Sequence, residues 1–123
     1  MGDRANFGFQ EAVGAPTLFL YAHNGGYEML NTLAQALEAA RPRWTDSAYG
    51  TRIAVTHIVG NDWNQEYGYG LTIDTLCDNE HSIPVVTWGT QTVSLYGELG
   101  GTPKFTMSIE AFVKKFSKTP AYA

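Results

Sequence analysis

The stretch from Thr17 to Ala40, TLFLYAHNGGYEMLNTLAQALEAA, constrains this chain more than any other. Leu18, Leu20 and Ala22 alternate with Phe19, Tyr21 and His23, so both faces carry apolar or amphipathic groups. Such a pattern predicts a largely buried, central strand. Asn24-Gly25-Gly26 supplies the positive φ values that a sharp exit from a strand needs. Beyond it, Leu30, Leu33, Leu37 and Ala40 fall at helical spacing, with Ala34 and Ala36 beside them. Pro42, which lacks an N–H and restricts the residue before it, stops that helix near Ala40 or Arg41.

The rest of the chain is placed around this unit. Ala5, Phe7 and Phe9 alternate against Asn6 and Gly8 as in a half-buried strand, and Val13-Gly14-Ala15-Pro16 suits a reversal, so the two opening strands are expected to form a hairpin. Residues 46–59 admit two readings. Their β-branched residues suit a strand with Ile53, Val55 and Val59 on one face. A helix is favoured because a cap at Thr45 or Asp46, a stop at Gly60 and an apolar side of Ala48, Val55, Ile58 and Val59 agree with one another. Gly50 counts against that helix by about 1 kcal/mol relative to alanine.

Tyr67, Tyr69, Leu71 and Ile73 then alternate with Gly68, Gly70, Thr72 and Asp74, a strand with one aromatic-aliphatic face and one nearly bare face. After a polar loop at Asp78–Ser82, the runs Ile83–Trp88 and Gln91–Tyr96 flank Gly89-Thr90, which matches a type II′ hairpin turn. Gly97 to Pro103 is a glycine-rich link. Thr106 or Ser108 caps a last helix in which Ile109, Phe112, Val113 and Phe116 share one face, while Lys114, Lys115 and Lys118 face water. The order β-β-α-α-β-β-β-α with hairpin-linked strands predicts a two-layer α+β fold: a mainly antiparallel sheet of about five strands with helices packed on one face. A single domain spans residues 1–123, with loose ends at about 1–3 and 118–123.

Composition narrows the function classes. Eight Lys and Arg against twelve Asp and Glu give a net charge of −4, and the basic residues are scattered except for Lys114, Lys115 and Lys118. A nucleic-acid partner is therefore disfavoured. Cys77 stands alone, which excludes an internal disulfide and suits a reducing cytoplasm. No charged-then-apolar leader opens the chain, and no apolar run approaches the roughly eighteen residues of a spanning helix, so a soluble intracellular protein without membrane contact is expected.

No motif dictates a chemistry. His23-Asn24-Gly25-Gly26, with Tyr27 adjacent, could offer helix N-terminal amides to an anion, but it lacks the endings of phosphate-binding loops, and a plain turn is the commoner role. His23, His57 and His81 form no close ligand pair, so neither metal nor cofactor is expected. Asp78 and Glu80 beside Cys77 would raise its thiol pKa, and no serine elbow or paired carboxylates occur, so no catalytic residue is assigned. Trp44, Trp63, Tyr67, Tyr69, Trp88 and Tyr96 are abundant aromatics of the kind enriched in recognition surfaces. In a meander, Tyr67 and Tyr69 would lie beside Trp88 and Tyr96, and Gly68 and Gly70 would leave a bare face for another backbone or a flat ligand. The candidate contact residues are therefore His23, Asn24, Gly25, Gly26, Tyr27, Trp63, Tyr67 and Tyr69.

The segments DRANFGF, TLFLYAHNGGYEMLNTLAQAL, RIAVTHIVGNDW, GYGLTID and DNEHSIPVV, spread over most of residues 3–96, resemble a group of short uncharacterised proteins encoded by bacteriophages of actinobacteria. The resemblance carries no catalytic motif and implies a phage accessory protein made in the host cytoplasm. The leading expectation is a non-enzymatic protein that binds a host protein or sequesters a small host molecule. A virion structural or assembly component, self-associating into a homo-oligomer through free sheet edges, is the alternative. A small nucleotide-processing hydrolase using the His23–Tyr27 turn ranks last.

Overall fold

A computed structural model describes residues 2–117. Two strands, β1 (Ala5–Gln10) and β2 (Leu18–Ala22), precede two helices, α1 (Met29–Ala39) and α2 (Ser47–Val59). Four strands follow, β3 (Tyr69–Ile73), β4 (Ile83–Thr87), β5 (Thr92–Tyr96) and β6 (Phe105–Ser108), and α3 (Ile109–Phe116) closes the order. The six strands form one sheet in the order β3-β2-β1-β4-β5-β6. Every neighbouring pair is antiparallel except the central β1–β4 pair. The fold is the expected α+β class, with six strands where about five were expected.

All three helices lie on one face. Phe7, Phe9, Leu20, Val86 and Val93 pack from the strands against Leu33, Leu37, Val55, Ile109 and Phe112 from the helices. Gly25 (φ 87°) makes the turn out of β2, after which a short 3-10 turn leads into α1. Asp46 caps α2 by accepting from Tyr49 N–H at 3.2 Å, and Gly60 (φ 64°) ends it, so residues 46–59 take the helical alternative. Gly50, unfavourable in a helix, is there for packing: a Cβ would lie 3.0 Å from both the Arg43 carbonyl oxygen and the Trp88 ring.

The parallel central pair determines what covers the other face. β3 and β4 both run in the direction of β1, so residues 74–82 must travel back along the sheet to connect them. They do so across the helix-free side. Leu76 packs there against Phe19, Ile83 and Val85, and Asn6 Nδ2 donates to the Asp78 carbonyl at 3.1 Å. This explains why β1, expected to be half-buried, is buried on both faces, with Asn6 fully enclosed.

Four further expectations are corrected. Among the described residues β3 pairs only with β2, at the sheet edge, so it forms no meander with β4 and β5, and Tyr69 is no neighbour of Trp88 or Tyr96. Tyr67 precedes the strand altogether, separated from it by Gly68 (φ 97°). The β4–β5 turn is not type II′. That type needs positive φ at Gly89, whereas positive φ falls on Gln91 (52°), whose N–H bonds the Trp88 carbonyl at 3.0 Å. Gly89 instead permits the close approach of Glu11, whose carbonyl accepts its N–H at 2.7 Å. Asp3, placed among loose opening residues, is tied down: its N–H donates to the His23 carbonyl at 2.9 Å. The expected fraying at 118–123, and Lys118 with it, lies outside the described residues.

Candidate functional site

The eight sequence-selected residues divide between a closed turn and an open cleft. In the turn, Gly26 N–H donates to the Asp3 backbone carbonyl at 3.0 Å, and Tyr27 N–H donates to the Asp3 carboxylate at 2.6 Å. His81 Nε2 lies 2.5 Å from the other carboxylate oxygen. That hydrogen bond first, and the Tyr27 N–H second, hold the Asp3 pKa below the ordinary aspartate value. A Cβ on Gly26 would collide with the His81 ring at 2.4 Å, so the second glycine admits His81 rather than a ligand. The turn does bind an anion, but the anion is a side chain of the same protein, and the free-anion reading of His23–Tyr27 is corrected accordingly. His23 Nδ1 pairs with the Tyr21 hydroxyl at 3.1 Å, and the Tyr27 ring projects into solvent, 87% exposed.

Trp63, Tyr67 and Tyr69 sit elsewhere, on the helix side of the sheet beside β3. Strand alternation and pairing with Leu18, Leu20 and Ala22 put Tyr69, Leu71 and Ile73 on that face. The helix layer does not reach far enough to cover them. α2 is drawn toward the middle of the sheet by Trp88, which stacks on Phe9 (centroids 6.3 Å apart) and donates its indole N–H to Thr51 Oγ1 at 2.8 Å. Small residues on α2, Ala48 and Thr51 among them, therefore face a hollow of about 450 Å³ floored by Phe9, Leu18, Leu71 and Ile73. A second hollow of about 250 Å³ continues it past Trp63 to Tyr67, Tyr69 and Gly70. Leu71, Ile73 and Trp63 are 54%, 58% and 50% exposed, which is unusual for apolar side chains on the packed side of a sheet.

Polar groups in the cleft are few. Tyr69 donates its hydroxyl to the Ile58 carbonyl at 3.4 Å, and burial, then the charge of Asp62, push its phenol pKa up. Glu11 and Arg52 stand at the rim of the larger hollow and Asp62 at that of the smaller. Gly70 lines the smaller hollow, and the nearest atom to where its Cβ would be is in the Tyr21 ring, 4.0 Å away; beside Gly68 no atom lies within 4 Å. Trp44 and Trp88 are structural, with Trp44 donating its indole N–H to the Leu37 carbonyl at 2.8 Å. Sequence reasoning selected Trp63, Tyr67 and Tyr69 but passed over Leu18, Ala48, Leu71 and Ile73, which complete the cleft. The available signal was Leu71 and Ile73, apolar and alternating in a strand that no neighbouring sequence pattern covers.

Among the described residues no group of His, Cys, Asp and Glu is arranged to hold a metal ion, and no helix is long and apolar enough to cross a membrane. Comparison with protein-family models, with curated proteins and with solved structures finds no match to this chain.

Proposed function

We propose that this chain is a non-enzymatic phage accessory protein that binds a host protein or sequesters a small host molecule through the cleft beside β3. The observation that carries this reading is the exposed apolar set Leu71, Ile73 and Trp63 around a hollow of about 450 Å³. Contiguous apolar surface with a polar rim is typical of interaction sites, and the volume falls within the range of about 300–1,000 Å³ common for ligand pockets. The phage setting and the host cytoplasm are supported by the sequence resemblance. The Asp3–His81 pair plays no part, since its carboxylate is engaged by the Tyr27 N–H.

The test is capture from host lysate on the wild type and on Leu71→Asp, with mass spectrometry of both retained proteins and small molecules released on heating. A partner or ligand held by the wild type and lost from Leu71→Asp is the expected result. Identical retention by both, or turnover of a substrate with nothing retained, overturns the reading. The outer edge of β3, which no strand among the described residues pairs, favours a second reading, a virion component assembled edge to edge. Stoichiometric presence of the chain in purified particles would establish that alternative.

A further inference from the structure

One long side of β3 is paired with β2, and no strand among the described residues pairs with the other. His23 N–H donates to the Gly68 carbonyl and Asp74 N–H to the Thr17 carbonyl, both across β2–β3. Hydrogen-bonded positions alternate in antiparallel pairs, so Gly68, Gly70, Thr72 and Asp74 turn their backbone groups toward β2. Tyr69, Leu71 and Ile73 therefore turn their N–H and C=O groups outward. The same three residues carry the side chains that face the cleft. Free backbone donors and acceptors thus coincide, residue for residue, with the exposed apolar surface.

Nothing in Tyr69–Ile73 blunts this edge: the segment YGLTI has no charge and no proline. A strand laid along it would direct every second side chain to the helix side, beside Leu71 and Ile73 and toward the hollow under α2. The surrounding charge decides what kind of strand fits. Glu11 and Asp62 stand at the cleft, with Arg52 the opposing charge. Glu66 and Asp74 lie before and after β3 in sequence, with the Asp74 carboxylate turned to the helix-free side to accept the Thr17 N–H. None of these enters an ion pair among the described residues. A second copy, itself carrying −4, would bring two acidic rims together. A basic partner would neutralise them.

Building on the cleft as the binding surface, we propose that β3 accepts, as an added strand, an extended segment of a partner protein in which apolar residues alternate and lysines or arginines flank them.

The experiment selects a ribosome-displayed library of random peptides on the wild-type protein, with counter-selection on Leu71→Asp. A selected peptide is then resynthesised in three forms: unmodified, N-methylated at alternate amides, and with its basic flanks changed to glutamate. The expected peptides alternate apolar residues between basic ends. Methylation in the register that faces β3 should weaken binding about tenfold or more, because it removes edge hydrogen bonds while keeping the side chains. Glutamate ends should weaken binding at low salt, with the difference fading as salt rises. Nile red, a neutral apolar dye, reports the cleft independently. Dye binding lost in Leu71→Asp, together with equal affinity of methylated and unmodified peptides or with no peptide selected, overturns strand addition and leaves the cleft reading standing. Absence of both dye and peptide binding overturns both. Sedimentation showing a dimer that Leu71→Asp dissociates assigns the edge to a second copy and overturns the proposal.

Discussion

The two outer strands of this sheet solve the same problem in opposite ways. At one end, β6 is four residues long, follows Pro103 and Lys104, and runs directly into α3, which Ser108 caps by accepting the Ala111 N–H at 3.0 Å. Its helix-side residue Phe105 is roofed by Phe112 and Phe116, with centroids 6.5 and 6.2 Å away. At the other end no described residue forms such a roof over β3, and Leu71 and Ile73 are more than half exposed. A strand edge exposes unpaired backbone groups and invites association, which proteins ordinarily suppress by shortening, charging or covering it. Here the apolar face of one edge strand is covered, while among the described residues that of the other is not. The contrast supports the proposal that the open end is a binding surface.

The largest predicted effect lies under the roof. Phe112 is fully buried, its ring 4.8 Å from that of Phe116, so Phe112→Ala removes a large apolar group and leaves a void against β6. Its expected cost is about 3–5 kcal/mol in urea unfolding, a large share of the roughly 5–15 kcal/mol that holds a typical domain together. A midpoint near that of wild type would mean that α3 does not seal this end.

A smaller loss is expected where α2 is positioned. Gly50→Ala gains about 1 kcal/mol of helix propensity but drives a methyl against the Arg43 carbonyl and the Trp88 ring, at 3.0 Å each. Overpacking of this kind costs about 1–3 kcal/mol, and a backbone carbonyl yields less readily than a side chain, so the sum is destabilising by about 1 kcal/mol. A stabilised variant would show that α2 is free to shift, in which case the width of the cleft would not be set by its contact with Trp88.

At the open edge, Leu71→Ala should cost less than about 1 kcal/mol, since more than half of the side chain is already in water. This is the sharpest way to break the contrast between the edges. A loss comparable to that of Phe112→Ala would show that β3 is covered in solution, and sedimentation of the same sample would identify a second copy as the cover.

Acid acts through exposed carboxylates at two places. Hydrogen bonds from Arg41 hold Glu38 and Glu110 below the ordinary glutamate value of 4.5, joining the end of α1 to α3, while His81 and then the Tyr27 N–H hold Asp3 below 3.8. A carboxyl with a depressed folded pKa binds its proton more weakly in the fold than out of it. Its contribution is therefore complete above the unfolded value and is lost as pH falls through the folded one. Stability should decline as pH drops below 4.5 and further below 3.8, and Glu110→Gln and Asp3→Asn should each flatten part of that decline. An acid profile unchanged in both variants would place the acid sensitivity elsewhere.

Much of this architecture was legible from local pattern. The β1–β2 hairpin, α1, both caps of α2, the β4–β5 pair and the buried stripe of α3 all follow from periodicity and turn residues within a few positions. What was not legible depends on distant pairing. β3 lies beside β2 because Leu18 meets Ile73 and Ala22 meets Tyr69, contacts that no local period encodes. β6 was hidden because Phe105 to Ser108 alternate over only four residues, and those residues also read as a helix entry. The glycine turn was weighed as a possible anion-binding shape, but its occupant, Asp3, precedes β1 and reaches the turn only because β1 pairs beside β2. The aromatics that border the cleft were among the residues selected from the sequence while its aliphatic floor was not, since Leu71 and Ile73 look like core until the reach of α2 is known.

The smallest predicted effect tests which face of α3 is which. Lys115 is exposed, and its ammonium sits 5.5 Å from the Phe116 ring centroid, close enough for a cation–π contribution at a solvated site. Lys115 also belongs to the last turn of α3, where a positive charge complements the helix dipole. Both contributions are screened by water, so Lys115→Ala should lower stability by less than about 0.5 kcal/mol. The small loss should shrink further in high salt, whereas the loss from Phe112→Ala should not, because burial is not screened. If Lys115→Ala instead lowered the urea midpoint while Phe112→Ala left it near wild type, α3 would be turned over. The stripe from Ile109 to Phe116 would then be the exposed apolar surface, and the proposed binding face would move from the β3 end to the β6 end.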